Sequence, residues 1–322
     1  MKLLKKIRVI PETIGVCIAM VVIPVLPRRA VLALAAMLGW LGYKLSSKLR
    51  AVALANLDLA FKDSMTAEQK KIAAIGSFRL FALVLLDVFW FGWRTRGRVR
   101  KYVRFDGSFD HFFRTSPLVA VTAHIGNWEA MGLAAALHGE PPLSVAMPLK
   151  NRFADRILNR MRTGTGQQIV ERQGAVRTLL KGLHGNARVA LLLDQNTLPE
   201  DGGRYVDLFG VPAPISRAGV TLAMRTGAGT VFTYCLADGQ GGYTAFSTEP
   251  RYWRNEESED MAMQELARTL ENVIRKHPDQ WLWSYKRWKF IPAGHDGKGF
   301  PFYARLAVTA DVETARGRAQ EG

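Results

Sequence analysis

The stretch most suited to chemistry is Ala123-His124-Ile125-Gly126-Asn127-Trp128-Glu129. An imidazole titrates near neutral pH and can take a proton from an alcohol, which makes His124 a natural general base. Glu129 comes five residues later, just inside a helix expected to begin near Asn127. If His124 sits in the turn before that helix, the carboxylate can fold back to one ring nitrogen, fix the tautomer and stabilise the imidazolium. Gly126 suits a tight turn, and Asn127 can cap the helix or donate to a substrate oxygen. A loop histidine that merely bonds to backbone would leave the same signature. A second polar cluster, Asp194-Gln195-Asn196, follows the apolar run Val189–Leu193; an aspartate there can equally begin a turn. Lys150, Arg152, Arg156 and Arg162 lie close together in sequence and could hold phosphate oxygens or form a solvated helix face. Other chemistries are poorly supported. No G-x-S-x-G elbow exists, and neither Cys17 nor Cys235 has a neighbouring base in sequence, so a covalent acyl-enzyme is not suggested. Two cysteines and six histidines without ligand spacing make a zinc enzyme a poor fit, and no metal site is expected.

Such residues need a frame, and the chain from about residue 99 alternates. Apolar runs at Leu118–Thr122, Leu143–Met147, Val189–Leu193, Thr230–Leu236 and Tyr243–Ser247 read as strands. Between them Asn127–Leu137, Phe153–Arg162, Ala175–Leu183, Arg217–Arg225 and Glu256–Lys276 read as helices. The alternation predicts an α/β fold with a mixed central sheet flanked by helices, partly antiparallel near its end. In such sheets chemistry gathers at the carboxyl ends of strands, where both polar clusters fall. Upstream, residues 66–93 open on Thr66 and Glu68-Gln69, which suit an N-cap region, and continue apolar at helical spacing. Trp281, Trp283 and Trp288 suit core or interfacial positions. Phe209-Gly210 with Pro212 and Pro214 suits a rigid turn, either a plain loop or a wall for an acyl chain.

With 322 residues, 48% apolar and 22% charged, the chain can bury a sizeable core. Its net charge of +16 calls for an anionic partner. Residues 1–50 hold nine basic residues against one acid, Glu12, interleaved with the apolar runs Thr13–Leu26 and Ala30–Tyr43. Each run falls short of the roughly 20 residues of a comfortable span. Cations beside short apolar helices predict an N-terminal helical membrane anchor on the cytoplasmic face. A nucleic-acid arm would lack the apolar runs, and the strand or zinc motifs of nucleic-acid binders are missing. The expected organisation is anchoring helices over 1–48, a body over 49–303 (helical lead-in 49–98, α/β core 99–303) and a flexible tail over 304–322.

The segments AHIGNWE, ILNRMRTGTG, ALLLDQN, LFGVPAPISRAGVTLA and PDQWLWSYKRWK occur in this order, preceded by RAVALANLDLAF. Together they closely resemble the lipid A biosynthesis (late) acyltransferase family, within the wider glycerolipid and lysophospholipid acyltransferases, over roughly residues 10–292. The resemblance implies a His124–Glu129 catalytic pair. It also implies a substrate-binding set that includes Arg162, Asp194 and Gln195, alongside Gly126, Asn127 and Lys150. The implied reaction moves a fatty acyl chain, of lauroyl or myristoyl type, from acyl carrier protein or coenzyme A to a hydroxyl of a lipid A precursor or related glycolipid. It would take place at the inner membrane, with no cofactor beyond the thioester. An acceptor such as a phosphatidylinositol mannoside or a lysophospholipid is the alternative. The family's Trp-x-His-Arg-Arg reads Trp283-Ser284-Tyr285-Lys286-Arg287 here, with tyrosine in place of the histidine.

Overall fold

The computed structural model of the protein describes residues 2–146, 151–171, 174–253 and 259–307, with side chains from Glu12 onward. Five helices come first: α1 (Lys2–Val22), α2 (Arg28–Leu45), α3 (Ser47–Phe61), α4 (Ala67–Phe91) and α5 (Thr95–Tyr102). The α/β part runs β1 (Val103–Phe105), α6 (Asp110–Arg114), β2 (Leu118–Thr122), α7 (Trp128–Leu137), β3 (Leu143–Ala146), α8 (Arg152–Thr163), β4 (Gln168–Glu171), α9 (Ala175–His184) and β5 (Arg188–Leu192). It continues with β6 (Gly203–Leu208), β7 (Val211–Ser216), α10 (Ala218–Thr226), β8 (Gly229–Ala237), β9 (Tyr243–Ser247), α11 (Glu259–Lys276), β10 (Phe290–Ile291) and β11 (Arg305–Leu306).

Seven strands form one sheet in the order β1-β9-β8-β2-β5-β3-β4, and only the β8–β9 pairing is antiparallel. This is the mixed α/β sheet the alternation predicts. All five expected strands are present. The short β1 and β4, and the β6–β7 hairpin, carry too few apolar residues to announce themselves. The strand β2 is buried along its whole length, and it pairs in parallel with β5 on one side and β8 on the other. The β2–β5 register sets Leu118 opposite Arg188 and Thr122 opposite Leu192, a constant offset of 70 residues. Continued two residues beyond both strands, that register brings position 124 to position 194.

The helix α4 begins at the expected N-cap region, which forms a capping box. Thr66 Oγ1 accepts from the Gln69 amide, and Gln69 Oε1 accepts from the Thr66 amide at 2.7 Å. Against α4 lies α2, through buried Arg28, Val31, Ala35, Gly39 and Tyr43, spaced three and four apart on one helical face. At Gly39 the backbones nearly touch: a Cβ there would stand 2.4 Å from Arg79 Cα, so the crossing requires glycine. The opposite faces leave Ile14, Ile18, Met37, Trp40, Phe81 and Leu85 exposed. By length and hydropathy α4 could cross a membrane, yet 39% of its most apolar stretch is buried inside the protein. Strand β11 pairs with β10. The expected flexible tail from 304 is thus held at its first residues, and 308–322 lie outside the described residues.

A core under the sheet gathers Trp281, Trp283 and Trp288, all at most 1% exposed. Phe209, at the two-residue β6–β7 turn, packs on all three at ring separations of 6.4–6.5 Å. Both turn residues have positive φ, 57° and 79°, which matches the twist of the hairpin. The expected rigid turn is present, and Phe209 itself is buried in the core.

Candidate functional site

His124 stands just past β2 and Asp194 just past β5, as the register demands. The His124 ring donates from Nδ1 to Asp194 Oδ1 at 2.7 Å, and its backbone N–H donates to Oδ2 at 3.1 Å. A carboxylate can only accept here, so Nδ1 carries the hydrogen, and in the neutral ring Nε2 holds the lone pair. Gln195 Nε2 lies 3.4 Å from that Nε2. The Gln195 side chain is exposed, so its amide borders the place a substrate would occupy.

Asp194 is completely buried, and it is held from three sides. Besides the histidine, Trp281 Nε1 donates to Oδ2 at 2.9 Å, and the Arg287 guanidinium lies 3.1 Å from the same oxygen. Burial alone would push the Asp194 carboxyl up. The Arg287 charge and the hydrogen bonds from His124 and Trp281 outweigh it and hold the group well below the usual carboxylate range.

The loop carrying His124 is stitched down on both sides. The His124 carbonyl accepts from Leu282 N, and the Gly126 amide donates to Gln280 O at 2.8 Å. The Asn127 amide donates to Cys235 O, also at 2.8 Å. Gly126 has φ +60°, and a Cβ there would fall 1.7 Å from Cys235 O, so only glycine fits. Asn127 is fully enclosed. Its Oδ1 accepts from Ala130 N, capping α7, and its Nδ2 donates to Asp87 Oδ2 at 3.1 Å. Of its two possible roles, capping is the one seen. Gly126 and Asn127 were both expected to touch substrate: Asn127 spends its side-chain polar atoms on the cap and on Asp87, whereas Gly126 shapes the turn and still borders the narrow space beside His124.

Glu129 does not fold back onto His124. Two residues into α7 it faces α8, where Arg162 grips it: Nε donates to Oε2 at 2.9 Å and Nη2 to Oε1 at 2.5 Å. Trp128 Nε1 donates to the same Oε1, while the Trp128 ring sits edge-on to His124 at 4.7 Å. The carboxylate on the imidazole is therefore Asp194, and Glu129 belongs to an ion pair one ring away. Their separation in sequence hid this, since the pairing of β2 with β5 cannot be read while two other strands intervene. The visible signal was that both clusters end apolar strands of similar length. Arg152 and Arg156 are exposed on α8, the solvated alternative; Lys150 lies outside the described residues.

Next to His124 a narrow slot opens between α4 and the 280–282 segment, lined by Leu80, Phe81, Val84, Trp128 and Leu282. It joins a proton acceptor to an apolar surface. The sequence profile of the family described as bacterial lipid A biosynthesis acyltransferase matches residues 2–290. The chain belongs to that family. It is an acyltransferase that acts on lipid. Among relatives in this family are the lipid A biosynthesis palmitoleoyltransferase of Escherichia coli (strain K12) and the lipid A biosynthesis acyltransferase of Shigella flexneri. Each is 24% identical over 253 residues, which cover 76% of this chain and 80% of the relative. Among solved structures, the crystal structure of the 1-acyl-sn-glycerophosphate (LPA) acyltransferase from Thermotoga maritima matches with a TM-score of 0.40 at 11% identity. That match covers 79% of this chain and 99% of the other.

Proposed function

We propose that the protein transfers a lauroyl- or myristoyl-type chain from an acyl thioester, on acyl carrier protein or coenzyme A, to a hydroxyl of a lipid A precursor or related glycolipid. The reaction takes place at the cytoplasmic face of the inner membrane. The observation that carries this reading is the His124 Nε2 lone pair, oriented by Asp194 and opening beside an apolar slot. Nε2 takes the acceptor hydroxyl proton as that oxygen attacks the thioester carbonyl. The tetrahedral intermediate collapses, the C–S bond breaks, and the imidazolium returns the proton to the leaving thiolate. One ester bond forms as one thioester is lost. The Gln195 amide is placed to donate to the developing oxyanion. Arg162, whose Nε and Nη2 hold Glu129, keeps its Nη1 edge for a phosphate of acceptor or donor, and the resemblance adds Lys150 as a second cation of the substrate-binding set. No cofactor takes part. The exposed apolar faces of α1, α2 and α4, among the basic residues of the first 50, suit a lipid surface.

His124→Ala is expected to lower transfer roughly 10²–10⁴-fold with folding and membrane binding intact. Residual activity above about a tenth of wild type removes the histidine from the role of base. Mass spectrometry of total glycolipids from cells with and without the gene reads the acceptor and the chain together. A difference of one lauroyl or myristoyl group on a lipid A precursor is the expected result. A palmitoleoyl difference revises the chain, and a difference on a phosphatidylinositol mannoside or a lysophospholipid overturns the acceptor.

A further inference from the structure

Arg287 is 2% exposed, and among the described residues none of its three guanidinium nitrogens has a hydrogen-bond partner. A buried cation left in that state is costly unless its charge is used. Its surroundings say how it is used. The guanidinium carbon lies 4.5 Å from the Trp281 ring and 4.7 Å from the Tyr285 ring, and the one carboxylate beside it is Asp194, on the side away from His124 Nδ1. Trp281 contacts both charges, since its Nε1 donates to Asp194. Tyr285 is itself fixed, its hydroxyl accepting from the backbone and side-chain N–H groups of Asn196 at 3.2 Å. We propose that Arg287 is a positioning residue for the acyl transfer: it shares Asp194 with His124, keeping the carboxylate ionised and turned to the ring while limiting how strongly that carboxylate holds a proton on the imidazole. This rests on His124 acting as the base.

The sign follows from charge. The base works only as neutral imidazole. Asp194 alone, buried at 2.7 Å, would favour the imidazolium and push the working pH upward. A fixed positive charge behind Asp194 opposes this. The other groups facing the histidine leave little to compete. Glu129 and Arg162 from α7 and α8 are paired with one another, and Trp128, which donates to Glu129, is the residue of that group against the ring. The α4 side of the slot offers Ser77, Leu80, Phe81 and Val84, none charged. Burial keeps the Cys235 thiol of β8 protonated, and burial likewise pushes up Tyr303, which bonds Asn56 behind the 281–288 segment.

The test is the pH profile of kcat/KM for the full-length protein in mixed micelles. Lauroyl-coenzyme A or lauroyl-acyl carrier protein serves as donor, and glycolipid from cells lacking the gene as acceptor. In Arg287→Gln the acid limb, read as the macroscopic value of the His124–Asp194 pair, should move up by about one pH unit. Activity should recover to within a few-fold of wild type above the new limb. Arg287→Lys should return the limb most of the way. An unmoved limb with a uniformly lowered plateau, or a limb that moves down, overturns the proposal. The single variant strands a buried carboxylate, so Asp194→Asn and Asp194→Asn/Arg287→Gln complete the set. The double variant loses both charges and should fold at least as well as either single one. It should be no more than about threefold less active than Asp194→Asn; a further tenfold loss shows Arg287 acting elsewhere and refutes the idea. If instead His124→Ala retains the wild-type rate and limb, the base assignment itself has failed, a result separable from an unmoved limb in Arg287→Gln.

Discussion

At the scale of single residues, the site divides into two carboxylates with different partners, and their substitution should look different. Asp194 touches the imidazole; Glu129 touches Arg162. Glu129→Gln keeps the shape but removes the charge that squares the guanidinium, so it should resemble Arg162→Lys, with a raised apparent KM and a modest fall in kcat. Arg162→Ala should be worse, by about 2–5 kcal/mol in kcat/KM for a buried charge pair, while Arg152→Ala, exposed on the same helix, stays within about 0.5 kcal/mol of wild type. Steady-state kinetics over acceptor concentration checks this. A loss in Glu129→Gln confined to kcat, with KM unchanged, would return Glu129 to the base. His124 could be picked out in the sequence because its type is unusual at a strand end, and Arg162 because it matches the arginine four residues before a glycine in the family the chain resembles. The partner of each could not, because a carboxylate five residues along a helix start and one seventy residues away are equally good in composition, and only the strand register decides.

At the scale of elements, α2, α4, α7 and β9 meet on one buried carboxylate. Asp87 of α4 receives the Arg28 guanidinium, the Tyr243 hydroxyl and the Asn127 amide, and Arg28 Nε also donates to Gly241 O at 2.8 Å. The N-terminal helices are thereby tied to the cap of the helix that follows the turn carrying His124. Asp87→Leu alone leaves Arg28 buried and unpaired and should cost about 3–5 kcal/mol; Arg28→Met/Asp87→Leu should recover most of that. Thermal unfolding in detergent measures both, and a double variant no better than the single one would show that the charges are not each other's chief partners. The apolar run of α2 and the N-cap region of α4 were legible. Nothing in the local pattern marked Asp87, one acid in a long apolar helix, as the meeting point, since its partners come from residues 28, 127 and 243.

At the scale of the molecule, the division into an anchor over 1–48 and a body beyond it is not a division in packing. Deleting residues 1–45 removes α1 and α2, bares the α4 face that α2 covers, and strips Arg28 from Asp87. The shortened protein should aggregate and lose transfer, rather than become a tidy soluble enzyme. Sedimentation after an alkaline wash is the measurement: a truncated form that stays folded in the pellet would move the anchorage to α4. The α/β class was readable because its apolar runs alternate with amphipathic helices at regular intervals. The strand order was not, for the sheet is wound with β8 and β5 on either side of β2, and chain order does not contain that choice.

Gly126 also bears on how such a chain would age. A lineage that abandoned acyl transfer could replace His124 and still keep the turn, because the backbone bonds of the turn, and the Arg287 and Trp281 contacts to Asp194, would remain. Replacing Gly126 drives a carbon into the Cys235 carbonyl and dismantles the turn whatever the protein then does. The glycine therefore outlasts the histidine. A descendant with the glycine but without the histidine is a folded protein that has changed occupation, whereas one with the histidine but without the glycine is a gene in decay.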